Sequence, residues 1–240
     1  RNNDDYLKEC IDSVISELDE LIAVYNQCTD RTVEILELKQ KQYPSKIKLY
    51  EYHPYVLPLE LDKETFIYAQ TLPNDSEHLM AEYTNFALSK ASFRYIMKVD
   101  ADQIYFTKRL KRICNAYRSS GKAILTEAEK TAYQAYCKRT LTSNQFPDYE
   151  SYIEKRIIND KVAVSFSGIN LYHQVNQWMV GLGDRHCHSL QPLFNGVHDH
   201  FFFDGTKGLH YESWIRPTLM TNGYGRIIEL MRYDEEMLEG

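Results

Sequence analysis

The chain has 240 residues, 43% of them hydrophobic, and 28 Lys and Arg against 34 Asp and Glu leave a net charge of -6. That is enough material for one large domain or two small ones around an ordinary core, and the negative balance argues against general nucleic-acid binding through phosphate neutralisation. No apolar run approaches the roughly 20 residues that a membrane helix needs. The five cysteines, Cys10, Cys28, Cys114, Cys137 and Cys187, are odd in number and widely spaced without a CxxC pair, a pattern that suits a reducing compartment better than a disulfide framework. No signal-peptide pattern opens the chain. The expectation is a soluble cytoplasmic protein, with peripheral contact at the inner face of the membrane left open. Tyrosine outnumbers phenylalanine 19 to 10, which suits sugar-facing surfaces and, equally, half-buried packing.

Taken in order, Leu7, Cys10, Ile11, Val14 and Ile15 recur at spacings of three and four behind the acid-rich start Asn2 to Asp5, predicting an amphipathic helix that ends before Leu18. Leu21 to Tyr25 reads as a buried strand, Asn26 to Asp30 as a loop with Thr29 or Asp30 as cap, and Val33 and Leu36 mark a helix to about Tyr43, stopped by Pro44. Ile47 to Tyr52 alternates like a strand, and this helix–strand–helix–strand order points to a parallel α/β sheet. His53 to Asn74, holding Pro54, Pro58 and Pro73, is expected to be a long irregular excursion, either mobile or near a binding site. A helix capped by Asp75 or Ser76 should run through Leu79, Tyr83 and Leu88 into a strand at Tyr95 to Val99. Leu110, Ile113 and Tyr117 predict a further helix closing near Gly121, the tyrosine-rich Glu127 to Asn159 a helical insertion, and Val162 to Phe166 another strand.

The strand at Tyr95 to Val99 delivers Asp100 and Asp102. At i and i+2 in extended backbone both carboxylates leave from one side, and a divalent cation would relieve their repulsion. Hard oxygen donors suit Mg²⁺ or Mn²⁺, which also hold a diphosphate, and the carboxyl end of a strand is where open α/β sheets bind ligands. Two acids in a surface turn are the alternative reading.

The order of segments resembles the GT-A glycosyltransferases, in particular the family-2 type of inverting enzymes. Four stretches carry the resemblance. Asn3 to Val14 with Thr29-Asp30-Arg31-Thr32 looks like the opening helix and nucleotide-side loop. Asn85 to Leu88, the strand and Asp100-Ala101-Asp102 are similar to the asparagine-bearing helix and DxD motif. Ser167-Gly168-Ile169 resembles the glycine loop beside the donor sugar. Gly196-Val197-His198-Asp199-His200 looks like the acidic motif bearing the catalytic base, with His210 in the place of the C-terminal metal-binding histidine.

The resemblance implies a mostly parallel, Rossmann-like GT-A central sheet flanked by helices. It implies one catalytic domain over 1–240, with a nucleotide-binding half (1–107), a helical insertion (108–160) and an acceptor-binding, catalytic half (161–240). It further implies a metal-dependent, hexosyltransferase-like enzyme that takes Mn²⁺ or Mg²⁺ on Asp102, Asp100 and His210. The donor would be a nucleotide diphosphate sugar, with UDP favoured, and the acceptor a saccharide or glycolipid in surface polysaccharide or glycan biosynthesis. Asn26, Asp30, Asn85, Asp100, Asp102 and Gly168 would hold the donor, and Asp199 would deprotonate the acceptor hydroxyl. Two departures stand out. The family begins with a strand that lies upstream of this numbering, so a further segment is expected to fill its place. Tyr25-Asn26 replaces an aspartate pair, although an amide at Asn26 can still pair with a pyrimidine edge.

Other readings remain. Asp199 would instead cap a helix starting at His200, His210 would be a packing histidine, and Trp178 or Trp214 would be either a sugar platform or core. A zinc hydrolase built on His186, His188, His198, His200 and Asp199 leaves the acid pair without a task. A sugar nucleotidyltransferase lacks its glycine-rich phosphate loop, and a carbohydrate-binding module would not need the acids.

Overall fold

A computed structural model describes residues 2–165, 201–204, 208–217 and 224–232, with backbone alone at 165 and 201–204. The described residues form two compact units: those within Arg1–Arg94, Asp100–Cys114 and Gly205–Gly240, and those within Tyr95–Val99 and Asn115–Asp204.

The first unit opens with α1 (Leu7–Val14), β1 (Leu21–Tyr25), α2 (Thr32–Gln42) and β2 (Ile47–Glu51). Leu7, Cys10, Ile11 and Val14 are buried along one side of α1, the stripe that a period of 3.6 residues lays down. Leu7, Ile11 and Ile15 meet Leu36 of α2 and Ile47 of β2 in one core cluster. Burying each such aliphatic side chain contributes about 1.5–3 kcal/mol. β1 and β2 pair in parallel from Leu21 opposite Ile47 to Tyr25 opposite Glu51, as the alternating pattern predicts. Lys39 on α2, 6% exposed, forms an ion pair with Asp12 on α1.

Where an irregular excursion is expected, the chain instead forms β3 (Glu60–Leu61) and α3 (Lys63–Ala69), with Asp62 accepting the Thr65 backbone N–H at 2.8 Å as the helix cap. α4 (Met80–Leu88) starts later than predicted; its cap position is Leu79, and neither Asp75 nor Ser76 fills it. After α4 come the strands β4 (Tyr95–Met97), β5 (Val164–Ser165), β6 (Phe201–Asp204), β7 (His210–Pro217) and β8 (Gly225–Arg232). In the first unit β7 and β8 make a long antiparallel pair with β3 at its edge, Leu61 opposite Gly225. A Cβ at Gly225 would lie 1.9 Å from Cδ2 of Phe66, so only glycine lets the strand approach α3. Leu57, Leu61, Phe66, Ala69, Leu79 and Ile227 form the core there.

In the second unit β4, β6 and β5 form an antiparallel sheet with β6 in the middle. The parallel order is thus confined, among the described residues, to β1 and β2, and the mostly parallel sheet expected from the resemblance is not what these strands form. The strand at Phe201–Asp204 also removes the alternative of a helix starting at His200. The expected helical region is a pair, α6 (Glu127–Cys137) and α7 (Phe146–Asp160), preceded by α5 (Thr107–Arg118), which runs from the first unit into the second. Thr126 and Glu129 make a reciprocal cap at the start of α6, and Tyr133 stacks on Tyr152 and Tyr136 on Tyr149 at 4.4 and 4.5 Å between ring centres.

Candidate active site

Asp100 and Asp102 lie in the loop between β4 and α5, Asp100 half-buried and Asp102 exposed. The backbone of this loop is fastened to α1. The Cys10 thiol donates to the Asp100 carbonyl at 3.3 Å, and the Gln103 N–H reaches the same oxygen at 3.3 Å. Ser13 accepts the Tyr105 N–H at 3.1 Å while donating to the Cys10 carbonyl at 2.7 Å, and the Thr107 hydroxyl donates to the Ser13 carbonyl at 3.0 Å. Ala101 packs against the α1–α2–β2 core. These bonds hold the main chain of the loop, and β4 ends at Met97, so Asp100 to Gln103 form a turn closed by the Gln103 N–H on the Asp100 carbonyl where extended backbone was expected.

The surroundings carry the mark of the two acids. Burial pushes the Cys10 thiol up to about 11 against a hydrogen bond from the Gln103 backbone, and the Asp102 and Asp100 carboxylates add to the rise. The thiol therefore stays protonated and remains a donor near neutral pH. Burial, then the neighbouring negative groups, raise the Tyr105 hydroxyl as well, and it donates to Gln103 Oε1 at 3.0 Å. Cys10, Ser13 and Tyr105 are positioning residues that sequence reasoning missed. The available signal was a serine on the buried stripe of an otherwise apolar helix face.

The other donor-side candidates are used differently. Asn26 is 3% exposed, and its amide nitrogen donates to the carbonyls of Tyr52 at 2.5 Å and Pro54 at 2.7 Å. Both N–H groups thus tie the end of β1 to the chain beyond β2, a structural role beside the expected one at a pyrimidine edge. Asn85 likewise clamps β7: its side-chain oxygen accepts the Tyr211 N–H at 2.7 Å, and its nitrogen donates to the Tyr211 carbonyl at 2.9 Å and to Glu82 at 3.0 Å. With both N–H groups engaged, Asn85 clamps the strand, a structural role beside the expected donor binding. Asp30 accepts the Thr32 N–H at 3.0 Å and the Asp4 N–H at 3.1 Å. Desolvation is outweighed by these bonds from Thr32 and Asp4, which hold its carboxyl below the ordinary value. Asp30 thus joins the start of α2 to the segment before α1.

His210 begins β7, its Nδ1 3.0 Å from the Gly208 carbonyl and its Nε2 3.6 Å from Glu212. Nδ1 facing a carbonyl carries the hydrogen, which leaves Nε2 as the ring's acceptor in the neutral form. Among the described residues no group of three or more His, Cys, Asp or Glu could hold a metal ion, so the Asp100, Asp102 and His210 set is not gathered into a cage. Trp214 is 57% exposed on β7, so it is not core. Asp199, Gly168, Trp178 and the histidines at 186, 188, 198 and 200 lie outside the described residues. A cavity of about 370 Å³ lined by Tyr55, Leu57, Glu64, Thr65, Tyr68 and His78 gives the proline-rich segment after β2 a concave side that includes none of the predicted site residues.

Residues 1–133, from α1 through the Asp100–Asp102 loop into α6, match the family model described as beta-1,4-N-acetylgalactosaminyltransferase (CgtA). The chain belongs to the CgtA family. It is a glycosyltransferase, an enzyme that moves a sugar onto an acceptor. Membership sets aside the zinc hydrolase, nucleotidyltransferase and binding-module readings. No curated protein and no solved structure matches this CgtA-family chain. Among its described residues no helix is long and apolar enough to cross a membrane.

Proposed function

We propose that the enzyme transfers N-acetylgalactosamine from UDP-N-acetylgalactosamine to a saccharide hydroxyl in β1,4 linkage, with Mn²⁺ or Mg²⁺ at Asp100 and Asp102. The sugar and linkage follow the name of the family. The observation that carries the metal and diphosphate assignment is the loop fastened by Cys10 and Ser13, which lies within the family-matched segment and presents a carboxylate pair. Their chemistry fits: a nucleotide-handling cation of this kind takes one or two protein carboxylates and completes its sphere with phosphate oxygens and water. A three-residue cage is not required, and His210 is left out of the minimal set.

In this reading the cation supplies Lewis-acid stabilisation of the departing diphosphate. Asp102, the exposed member, provides an oxygen ligand. Asp100, whose main chain is held by Cys10 and Gln103, keeps the pair aligned and provides the second. A β-glycoside formed from an α-linked nucleotide donor requires attack from the opposite face, so the configuration inverts. Attack needs a base on the acceptor side, and Asp199, in its Gly-Val-His-Asp-His context, is the residue we assign to take the hydroxyl proton.

The test is a transfer assay with UDP-N-acetylgalactosamine and UDP-N-acetylglucosamine in Mn²⁺ and in EDTA, with the product anomer read by NMR. The expected result is a β-linked product from the first donor in Mn²⁺ alone; an α-linked product, or equal rates in EDTA, would overturn inversion or metal dependence respectively. Asp199→Asn should lower turnover by about 10²–10⁴, the usual contribution of a general base, with little change in donor binding. Near-wild-type turnover would remove Asp199 from that role.

A further inference from the structure

We propose that the beginning of α5, with the two residues Ile104 and Phe106 before it, is a docking surface for an anionic phospholipid bilayer. The first sign is in the charge. In a chain of net charge -6, the stretch between Asp102 and Glu127 holds six basic residues, Lys108, Arg109, Lys111, Arg112, Arg118 and Lys122, and no acid. The helix sorts four of them onto one face. Leu110 and Cys114 are buried at 1% and 5% exposure, whereas Lys108, Arg109, Lys111 and Arg112 are exposed. At about 100° per residue these four occupy an arc of roughly 160° opposite the buried side chains.

The second sign is apolar and independent of the charge. Ile104 and Phe106 are 61% and 69% exposed. Tyr105 between them is pinned by its N–H to Ser13 and by its hydroxyl to Gln103, whereas its two neighbours are exposed. Arg109 sits with its guanidinium 5.8 Å from the centre of the Phe106 ring, so cation and aromatic ring share one patch. A merely solvated helix face explains the cations and not the exposed phenylalanine and isoleucine. Together they match a bilayer surface, where basic side chains meet lipid phosphates and the apolar pair enters the boundary of the acyl region. The inference stands apart from the sugar-transfer reading, since it uses neither Asp100 nor Asp102.

The experiment is co-sedimentation of the full chain with phosphatidylcholine vesicles, with and without phosphatidylserine, over a range of salt. Binding should require phosphatidylserine and weaken as salt rises. Each cation near an anionic surface accounts for about a fivefold change in partitioning, so Lys108→Gln with Lys111→Gln should lower binding about 25-fold. Ile104→Ser with Phe106→Ser should lower it about tenfold or more. All four positions are exposed, and an unchanged thermal midpoint verifies that each variant folds. Equal binding to neutral vesicles, no binding to either, or binding that survives both double variants would overturn the proposal. So would inorganic pyrophosphate abolishing vesicle binding at constant ionic strength, since the cations would then serve a soluble diphosphate.

Discussion

The loop at Asp100–Thr107 and the α6–α7 pair are both held by polar side chains, but the two regions use them for different ends. In the loop, Cys10 and Ser13 bond main-chain atoms of residues far along the chain. In the helix pair the acid itself is consumed by structure. Glu129, 4% exposed, receives Lys155 at 2.6 Å, Ser151 at 2.6 Å and the Thr126 N–H at 2.7 Å. A carboxylate whose oxygens are saturated by its own chain is scaffold, whereas the anchors of the loop act on its main chain.

The largest stability effect should come from Glu129. Desolvation acts to raise its carboxyl, but Lys155, Ser151 and Thr126 pull it down to about 2 from an ordinary 4.5. The stabilisation is therefore fully present above about pH 4.5 and is lost as pH falls toward 2. Lys155 stays partly in water, so Glu129→Gln should cost about 2 kcal/mol near neutral pH, below the range for fully buried pairs. Unfolding midpoints of both proteins against pH should converge on acidification. A gap that stays constant to low pH would mean that the carboxylate's charge is not what stabilises the pair.

Asn85→Ala should follow, at about 1–2 kcal/mol, because it leaves both main-chain groups of Tyr211 without their side-chain partner. Its UDP affinity, measured on folded protein, should match wild type; a large loss there would return Asn85 to the nucleotide site. Ser13→Ala should have the smallest stability effect, about 1 kcal/mol, yet it should weaken metal-dependent UDP binding several-fold by loosening the loop at Tyr105. Unchanged UDP binding would show that the α1 anchor does not position the acids.

What could be read from the sequence was whatever depends on neighbours. Leu21–Tyr25 appears as a strand because its apolar run is bounded by loop residues, Ile47–Glu51 because it alternates after Pro44, and the spacing of Asp100 and Asp102 is visible by inspection. β3 escaped notice because Pro54 and Pro58 dominate its approach, and its partner Gly225 lies more than 160 residues away. The β7–β8 pair was missed since His210–Pro217 mixes polar and aromatic residues without clean alternation. The main-chain partners of Asn26 and Asn85 were not legible for a chemical reason: an amide that can pair with a base edge can equally pair with a peptide group, and the sequence does not choose between them.

The most direct measurement is calorimetric titration of UDP into the wild-type chain and Asp102→Ala, each in Mn²⁺ and in EDTA. The account predicts saturable binding by wild type in Mn²⁺, lost in EDTA and lost in Asp102→Ala under both conditions. Equal UDP affinity for the two proteins in Mn²⁺ would contradict it.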